Sequence, residues 1–275
     1  MQRITVRDML ADDEEFVGTC SHVGETKERT DSCWRRIPWL HEQYRYGLRV
    51  KVALIDGKSV GFLYVMPIEI APSGPVGRDL MVVQCLAGTG PAGQGTGRAL
   101  MEAAEEEARR QERKGIVVIA YYSDYWFMPA YFFEKCGYSR VGEIAEVTDV
   151  GEKIYLSNKA MLWKVFDDSA EPPRLRKQKY VFNPVAGKVA VDLFTTRSCL
   201  TCDVEAQRVR EVADEFGDLV VLREYSADNP KIRDEYGMPR GIFINGKAVG
   251  WAVGAPKDGV RAEIEKARRQ ITSDG

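Results

Sequence analysis

Leu80-Met-Val-Val-Gln-Cys-Leu86-Ala-Gly88-Thr-Gly-Pro-Ala-Gly93-Gln-Gly95-Thr-Gly97-Arg98-Ala-Leu100 is an apolar run that breaks into a glycine-rich segment and then resumes as a different pattern. Leu80–Leu86 has the composition of a strand, whereas Leu100, Ala104 and Ala108 recur at i, i+4, i+8, the spacing of a one-sided helix after Gly97. Glu102, Glu105, Glu106, Arg109 and Arg110 fall on the face expected to meet water. A glycine-rich loop between a strand and a helix brings main-chain N–H groups together at a helix N-terminus, where an anion is favoured. A Walker phosphate loop requires Lys and Ser/Thr after its last glycine, and here Arg98-Ala99 follow. A Rossmann loop follows the first strand of its domain, and several strand signals precede this one.

Outward from this segment, Met1–Arg7 alternates polar and apolar residues, and Lys51–Ile55 and Val60–Ile70 have strand character. Downstream, Ile116–Tyr121 is the short apolar β-branched run of a buried parallel strand. Pro129 to Cys136 reads as a helix closed by Gly137, and Ala160–Phe166 as a final strand. Asp167 to Lys179 is charged, carries two prolines and has no periodicity, so 1–166 is expected to be one domain, 167–186 a linker and 187–275 a second domain. In the second domain Val189–Phe194 and Leu219–Leu222 read as strands. Val209, Val212, Ala213 and Phe216 mark a helix after Cys199, Asp228-Asn-Pro230 starts another, Asn245-Gly246 turns a hairpin, and a last helix runs from about Asp258. The expected class is α/β (α+β), with a mixed sheet flanked by helices followed by a smaller α/β domain.

A length of 275 residues also favours two modules. With 39 basic against 41 acidic side chains, 44% hydrophobic residues and 29% charged, the composition points to neither nucleic acid nor a membrane as partner. No apolar run reaches the ~20 residues of a membrane span, and the N-terminus lacks the apolar core of a signal peptide. A cytoplasmic location is therefore expected, with the six cysteines reduced, so that the close pair Cys199 and Cys202 reads as redox or metal chemistry.

The order of elements over residues 1–166 resembles the GNAT superfamily of N-acetyltransferases: two N-terminal helices, antiparallel strands, a phosphate-cradling loop, a long helix, a strand, and a short helix ending in Phe132-Phe-Glu-Lys-Cys-Gly-Tyr138. The family's Arg/Gln-x-x-Gly-x-Gly/Ala falls on Ala92-Gly93-Gln94-Gly95-Thr96-Gly97. Gly95 and Gly97 match, and Ala92 stands where Arg or Gln is usual. The resemblance implies acetyl-CoA as acyl donor, its pyrophosphate on the amides of Gly93, Gln94, Gly95, Thr96, Gly97 and Arg98, and its pantetheine arm along the splayed strand end Leu86, Ala87 and Gly88. The acceptor implied is the amine of a small molecule or peptide. Many members use a tyrosine before Glu-Lys-x-Gly-Phe as proton donor, a position held here by Phe133.

The remaining candidates for proton transfer are Tyr131 and Tyr122 as donors, with Tyr121 and Tyr125 beside them, and Glu69 and Asp124 as bases. His22 and His41 both lie in the N-terminal helical region. Tyr121, Tyr122, Tyr125, Trp126, Phe127, Tyr131, Phe132 and Phe133 form a dense aromatic cluster that reads first as core, or as the wall of a cleft for an apolar or cationic acceptor.

Cys199-Leu-Thr-Cys202 is placed in the first turn of a helix, whose unpaired N–H groups, together with Arg197, favour a thiolate at Cys199. A closed zinc site needs four ligands, and no second Cys/His pair lies in this domain. Residues 187–275 resemble a thioredoxin-like fold, and that resemblance implies a cis-proline facing the dithiol at Pro239. The two modules together resemble the YoaP-type acetyltransferases. The expected function is N-acetyl transfer, with the second module binding, reducing or sensing a thiol-containing acceptor. The alternative is a thiol-disulfide oxidoreductase or metalloid-binding protein regulated by acyl-CoA, and a third reading is a non-catalytic interaction protein.

Overall fold

The computed structural model describes residues 3–72, 74–89, 93–122, 128–142, 159–251 and 254–273. They form two compact units, one within Met1–Val147 and Tyr155–Arg176 and one within Lys177–Gly275.

The first unit runs β1 (Ile4–Asp8), α1 (Glu14–Gly18), α2 (Lys27–Tyr44), β2 (Arg49–Ile55), β3 (Lys58–Pro67), β4 (Pro75–Val76), β5 (Leu80–Gly88), α3 (Thr96–Arg110), β6 (Gly115–Tyr121), α4 (Ala130–Lys135), β7 (Ser139–Arg140), β8 (Lys159–Val165) and β9 (Arg174–Leu175). Seven strands build one mixed sheet in the order β1-β2-β3-β5-β6-β8-β7. Asp56 and Gly57 turn β2 into β3 with φ of 49° and 76°, the left-handed pair that matches strand twist in a tight hairpin. Among the described strands of this sheet only β5 and β6 pair in parallel, and their ladder covers just Leu80–Val83 against Gly115–Val118.

Alternation along the strands sends Leu63, Val83, Val118 and Leu162 to one face, where Leu100, Ala104 and Ala108 of α3 and Phe133 of α4 cover them. Phe62, Tyr64, Val82 and Val117 go to the other face, beneath Cys33, Ile37 and Leu40 of α2. Each Val, Leu, Ile or Phe side chain so buried contributes roughly 1.5–3 kcal/mol.

The periodic stripe of α3 thus meets the sheet, but its charged face is not all solvated. Glu105 is only 6% exposed, because Lys164 of β8 reaches it with its ammonium 2.8 and 2.9 Å from the two oxygens. Glu107, also buried, accepts from Lys51 Nζ at 2.9 Å and Gln111 Nε2 at 2.7 Å and pairs with Arg110. Gln111 Nε2 also donates to Gly47 O at 2.9 Å, tying the end of α3 to the entry of β2.

Part of the expected linker is paired backbone: Arg174–Leu175 form a short antiparallel ladder with Pro75–Val76 of the first unit.

The second unit runs β10 (Val189–Thr195), α5 (Leu200–Glu215), β11 (Val220–Ser226), α6 (Pro230–Tyr236), β12 (Gly241–Ile244), β13 (Lys247–Val249) and α7 (Lys257–Ser273). Its sheet has the order β11-β10-β12-β13, with β10 and β11 parallel and the other pairs antiparallel. Asn229 caps α6 by accepting from Lys231 N at 3.0 Å, and Asn245-Gly246 makes the β12–β13 turn with φ of 47° and 78°. Val191 and Leu193 pack on Val209 and Val212 of α5 and Val260 and Ile264 of α7. On the other face of β10, Phe194 meets the rings of Tyr180, Tyr225, Tyr236 and Phe243. Buried Asp192 accepts from Tyr180 Oη at 2.6 Å and Arg223 Nη2 at 2.8 Å. Among the described residues no helix is long and apolar enough to cross a membrane.

Burial opposes ionisation of Glu107, yet hydrogen bonds from Arg110, Gln111 and Lys51 outweigh it and bring the carboxyl down to about 2. A folded-state value below the unfolded one stabilises the unit above the unfolded value, and this is lost as pH falls from about 4.5 towards 2. Glu107→Gln is expected to cost about 2 kcal/mol at neutral pH and to flatten the acid limb of stability over that window. Urea unfolding of both proteins at several pH values measures it, and parallel acid limbs would refute the assignment.

Candidate functional site

Gly88, Thr89 and the residues from Gly93 to Arg98 lie where the sheet opens. Past Val83 and Val118 the β5–β6 ladder stops, although β5 remains paired to β3 as far as Gly88 and β6 to β8 as far as Tyr121. Gln84 bulges at this point, since Tyr64 faces Cys85 while Val65 faces Val83. Half-exposed Leu86 and Ala87 lead along the diverging strand into a cleft of about 350 Å³ lined by Gly88, Gly93, Gln94, Gly95, Thr96, Gly97, Arg98, Phe132, Lys135 and Cys136.

The loop enters α3 through Gly93 and Gly95, at φ of 86° and 89°, a conformation that strains any residue with a Cβ. Gly97 is needed for another reason, because a Cβ there would stand 3.0 Å from Phe132 Cζ. Ala99 N–H makes the first bond of the helix, to Gly95 O, so the N–H groups of Thr96, Gly97 and Arg98 project from the helix end without helical partners.

Gln94 Oε1 and Thr96 Oγ1 are buried and make no hydrogen bond. Arg98 and Lys135 bring cationic side chains to the lining, which holds no carboxylate among the described residues, and Arg98 Nη2 donates to Lys135 O at 3.1 Å. Unpaired amides, the Thr96 hydroxyl and two cations are donors that fit the pyrophosphate of acetyl-CoA, whereas Gln94 Oε1 only accepts and does not serve it.

The candidate proton-transfer residues do not converge. Tyr122 Oη donates to Glu134, and burial together with that carboxylate pushes the phenol up to about 12, so its proton is held by Glu134. Tyr131 is 56% exposed, sits one helical turn before Lys135 and meets the Tyr122 ring edge-on at 5.2 Å. Phe133, at the position a tyrosine often holds, is wholly buried in the core.

Glu69 is corrected from candidate base to a structural acceptor. It lies beyond the paired end of β5, at the end opposite the cleft, where it accepts Asp79 N–H at 3.0 Å and pairs with Arg113. Asp124, with Tyr125, Trp126 and Phe127, falls outside the described residues, as does Ala92. His22 and His41 are surface groups bonded to Glu25 and Glu14, both at 2.7 Å. Lys135, Cys136 and the contact of Gly97 with Phe132 escaped the sequence reading. The cation one turn from Tyr131 was a usable signal, and the ring against a glycine was not.

In the second unit Cys199 is the residue preceding α5 and Cys202 lies in its first turn, with no disulfide between them. Asp228 fixes the approach to Cys199, accepting from Thr196 Oγ1 at 2.6 Å and Arg197 N at 2.9 Å. Cys202 is hydrogen-bonded to Cys199, and that bond and burial push its thiol well above the usual range. The cis-proline expectation is corrected: no described residue has a cis peptide bond, so Pro239 follows the trans bond that is the default before proline. Two charged groups missed by the sequence reading stand at the dithiol, buried Glu205 on α5 and Arg240, paired with each other. Among the described residues no group of three or more His, Cys, Asp or Glu is placed to hold a metal ion.

No protein-family profile and no curated protein matches the chain. Among solved structures it is similar to the ribosomal-protein-alanine N-acetyltransferase of Brucella melitensis (20% identity, 59% of this chain and 99% of that one, TM-score 0.45). It is also similar to an N-acetyltransferase of Staphylococcus aureus Mu50 (14% identity, 59% and 98%, TM-score 0.46). A third is a GNAT-superfamily phosphinothricin acetyltransferase of Sinorhizobium meliloti, solved with acetyl-CoA (16% identity, 62% and 92%, TM-score 0.45).

If Glu134 holds the Tyr122 proton, Glu134→Gln is expected to bring the ionisation of this phenol from about 12 back towards about 10. The difference in alkaline phenolate absorbance between each protein and its Tyr122→Phe derivative isolates the group. Coincident titrations with and without the carboxylate would show that Glu134 does not act on it.

Proposed function

We propose that the chain is an N-acetyltransferase of GNAT type that moves acetyl from acetyl-CoA to the amine of a small molecule or peptide. The observation that carries this reading is the parting of β5 from β6 directly beside a carboxylate-free cradle at the N-terminus of α3. When bound, acetyl-CoA supplies a thioester carbonyl open to attack by a neutral amine. The N–H groups of Thr96, Gly97 and Arg98, with the Arg98 and Lys135 side chains, hold the pyrophosphate by charge-assisted hydrogen bonds. The edge of β5 at Leu86, Ala87 and Gly88 faces away from β3 and offers main-chain groups to the amides of the pantetheine arm. Tyr131 is the candidate to return a proton to the departing thiolate, because the Tyr122 proton is committed to Glu134. Asp124 is the remaining candidate base.

For the second unit we infer a thioredoxin-like domain whose Cys199 and Cys202 exchange with disulfides or bind a thiol-containing acceptor. A thiol-disulfide oxidoreductase regulated by acyl-CoA is the second reading, favoured by the burial of Phe133 where a proton donor is usual.

Calorimetric titration with acetyl-CoA is expected to give saturable binding to the full chain. Gly97→Val, which forces a side chain against the Phe132 ring, is expected to weaken it at least about tenfold. Release of free CoA on addition of amines then separates the two readings. Absence of binding by the unmodified protein overturns the transferase, and binding without release to any amine favours the regulated oxidoreductase.

A further inference from the structure

Two half-buried lysines stand on β8, and one of them has no acid among the described residues. Lys164 donates to both oxygens of Glu105. Lys159, at the other end of the strand, makes no hydrogen bond or ion pair among the described residues. Burial alone acts on its ammonium and pushes it below the usual lysine range.

Lys159 stands where β5 and β6 part. It faces Tyr121 in the β6–β8 ladder, one strand spacing of about 4.8 Å from β6. The last rung between β5 and β6 is at Val118, and Tyr121 lies roughly 10 Å of strand beyond it. The edge of β6 is taken up again there, where Tyr121 N donates to Met128 O at 3.1 Å. Side chains alternate along a strand, so Lys159 falls on the face of Met161 and Trp163, towards α2, and not on that of Ala160 and Leu162, towards α3. At this end the α3 face is filled by buried Leu100, Ala120 and Phe133. On the α2 face Cys85, Ala87 and Ile119 are only half-buried. An acceptor therefore reaches the gap between the strands from the face that holds Lys159.

We propose that Lys159 determines acceptor specificity: its ammonium binds the carboxylate of an amine substrate that enters from the α2 face. This inference rests on the acetyltransferase reading of the first unit. A half-buried cation without an acid carries a desolvation cost, and a ligand anion that pairs with it offsets that cost. One ammonium balances the single charge of a carboxylate, so the class of acceptor that fits is an amino acid, or a peptide amine with a carboxylate near it.

Release of free CoA from acetyl-CoA by the full chain, measured on a set of α- and ω-amino acids and on the carboxamide of each, tests the site. Wild type is expected to favour the carboxylates in kcat/KM at least about tenfold, chiefly through KM, as a charge-assisted hydrogen bond allows. Lys159→Met, which keeps the length of the stem and removes the charge, is expected to abolish the preference, and Lys159→Arg to keep most of it. Calorimetric titration with acetyl-CoA checks that each variant is folded, and Lys159→Gln replaces Lys159→Met where the latter does not bind. Equal use of carboxylates and carboxamides by wild type, or an unchanged preference once the charge is gone, overturns the carboxylate site. Acetylation of Lys159 itself in the absence of amine, read by peptide mass spectrometry, overturns it as well. No release of CoA with any amine overturns the transferase reading and the site with it.

Discussion

The first unit depends on a ladder that ends early. Between β5 and β6 only Leu80–Val83 and Gly115–Val118 are paired, and each strand then continues with its other neighbour. A strand whose backbone is paired on one edge keeps its shape while its other edge stands open. Because helices bury both faces of the sheet, the opening falls between strands, in the plane of the sheet. The bulge at Gln84 sits where the ladder stops, and bulges bend a strand and increase its twist. The same strand delivers the glycine loop and α3, so the open edge and the helix N-terminus share one end of the sheet.

Charge is handled differently in the two units. In the cleft of the first, attraction for an anion comes from main-chain N–H groups and from Arg98 and Lys135 at its rim, with no carboxylate among the described lining residues. Its acidic groups on α3, Glu105 and Glu107, are buried elsewhere and matched by Lys164, Lys51 and Arg110. In the second unit buried Glu205, one helical turn from Cys202, is paired with Arg240 and also feels Arg208. Burial raises the Glu205 carboxyl, and the pair with Arg240 opposes that rise.

Much of the fold was legible because its signals are local. Asn245-Gly246 names its own turn, Asn229-Pro230 its own helix start, and the Leu100, Ala104, Ala108 stripe its own buried face. The loop from Gly93 to Arg98 was legible for the same reason, since left-handed φ and a free helix end are properties of a few consecutive residues. What escaped depends on partners distant in sequence. Glu105 looks solvent-facing until Lys164 arrives from β8, and Glu69 looks like a free carboxylate until Arg113 and Asp79 claim it. Arg240 gives no hint in its own neighbourhood that it will meet Glu205, 35 residues away.

The aromatic cluster near α4 shows why composition alone does not settle a role. Phe132 and Phe133 are adjacent and alike, yet the helix turns them about 100° apart. Phe133 is sealed in the core against Tyr138, while Phe132 packs on Gly97 and lines the cleft. Tyr122 and Tyr131 touch edge to face, yet the hydroxyl of one is committed to Glu134 and the other stands in solvent. Burial and partner, not residue type, thus decide which ring builds the core, which shapes the cleft and which stays in solvent.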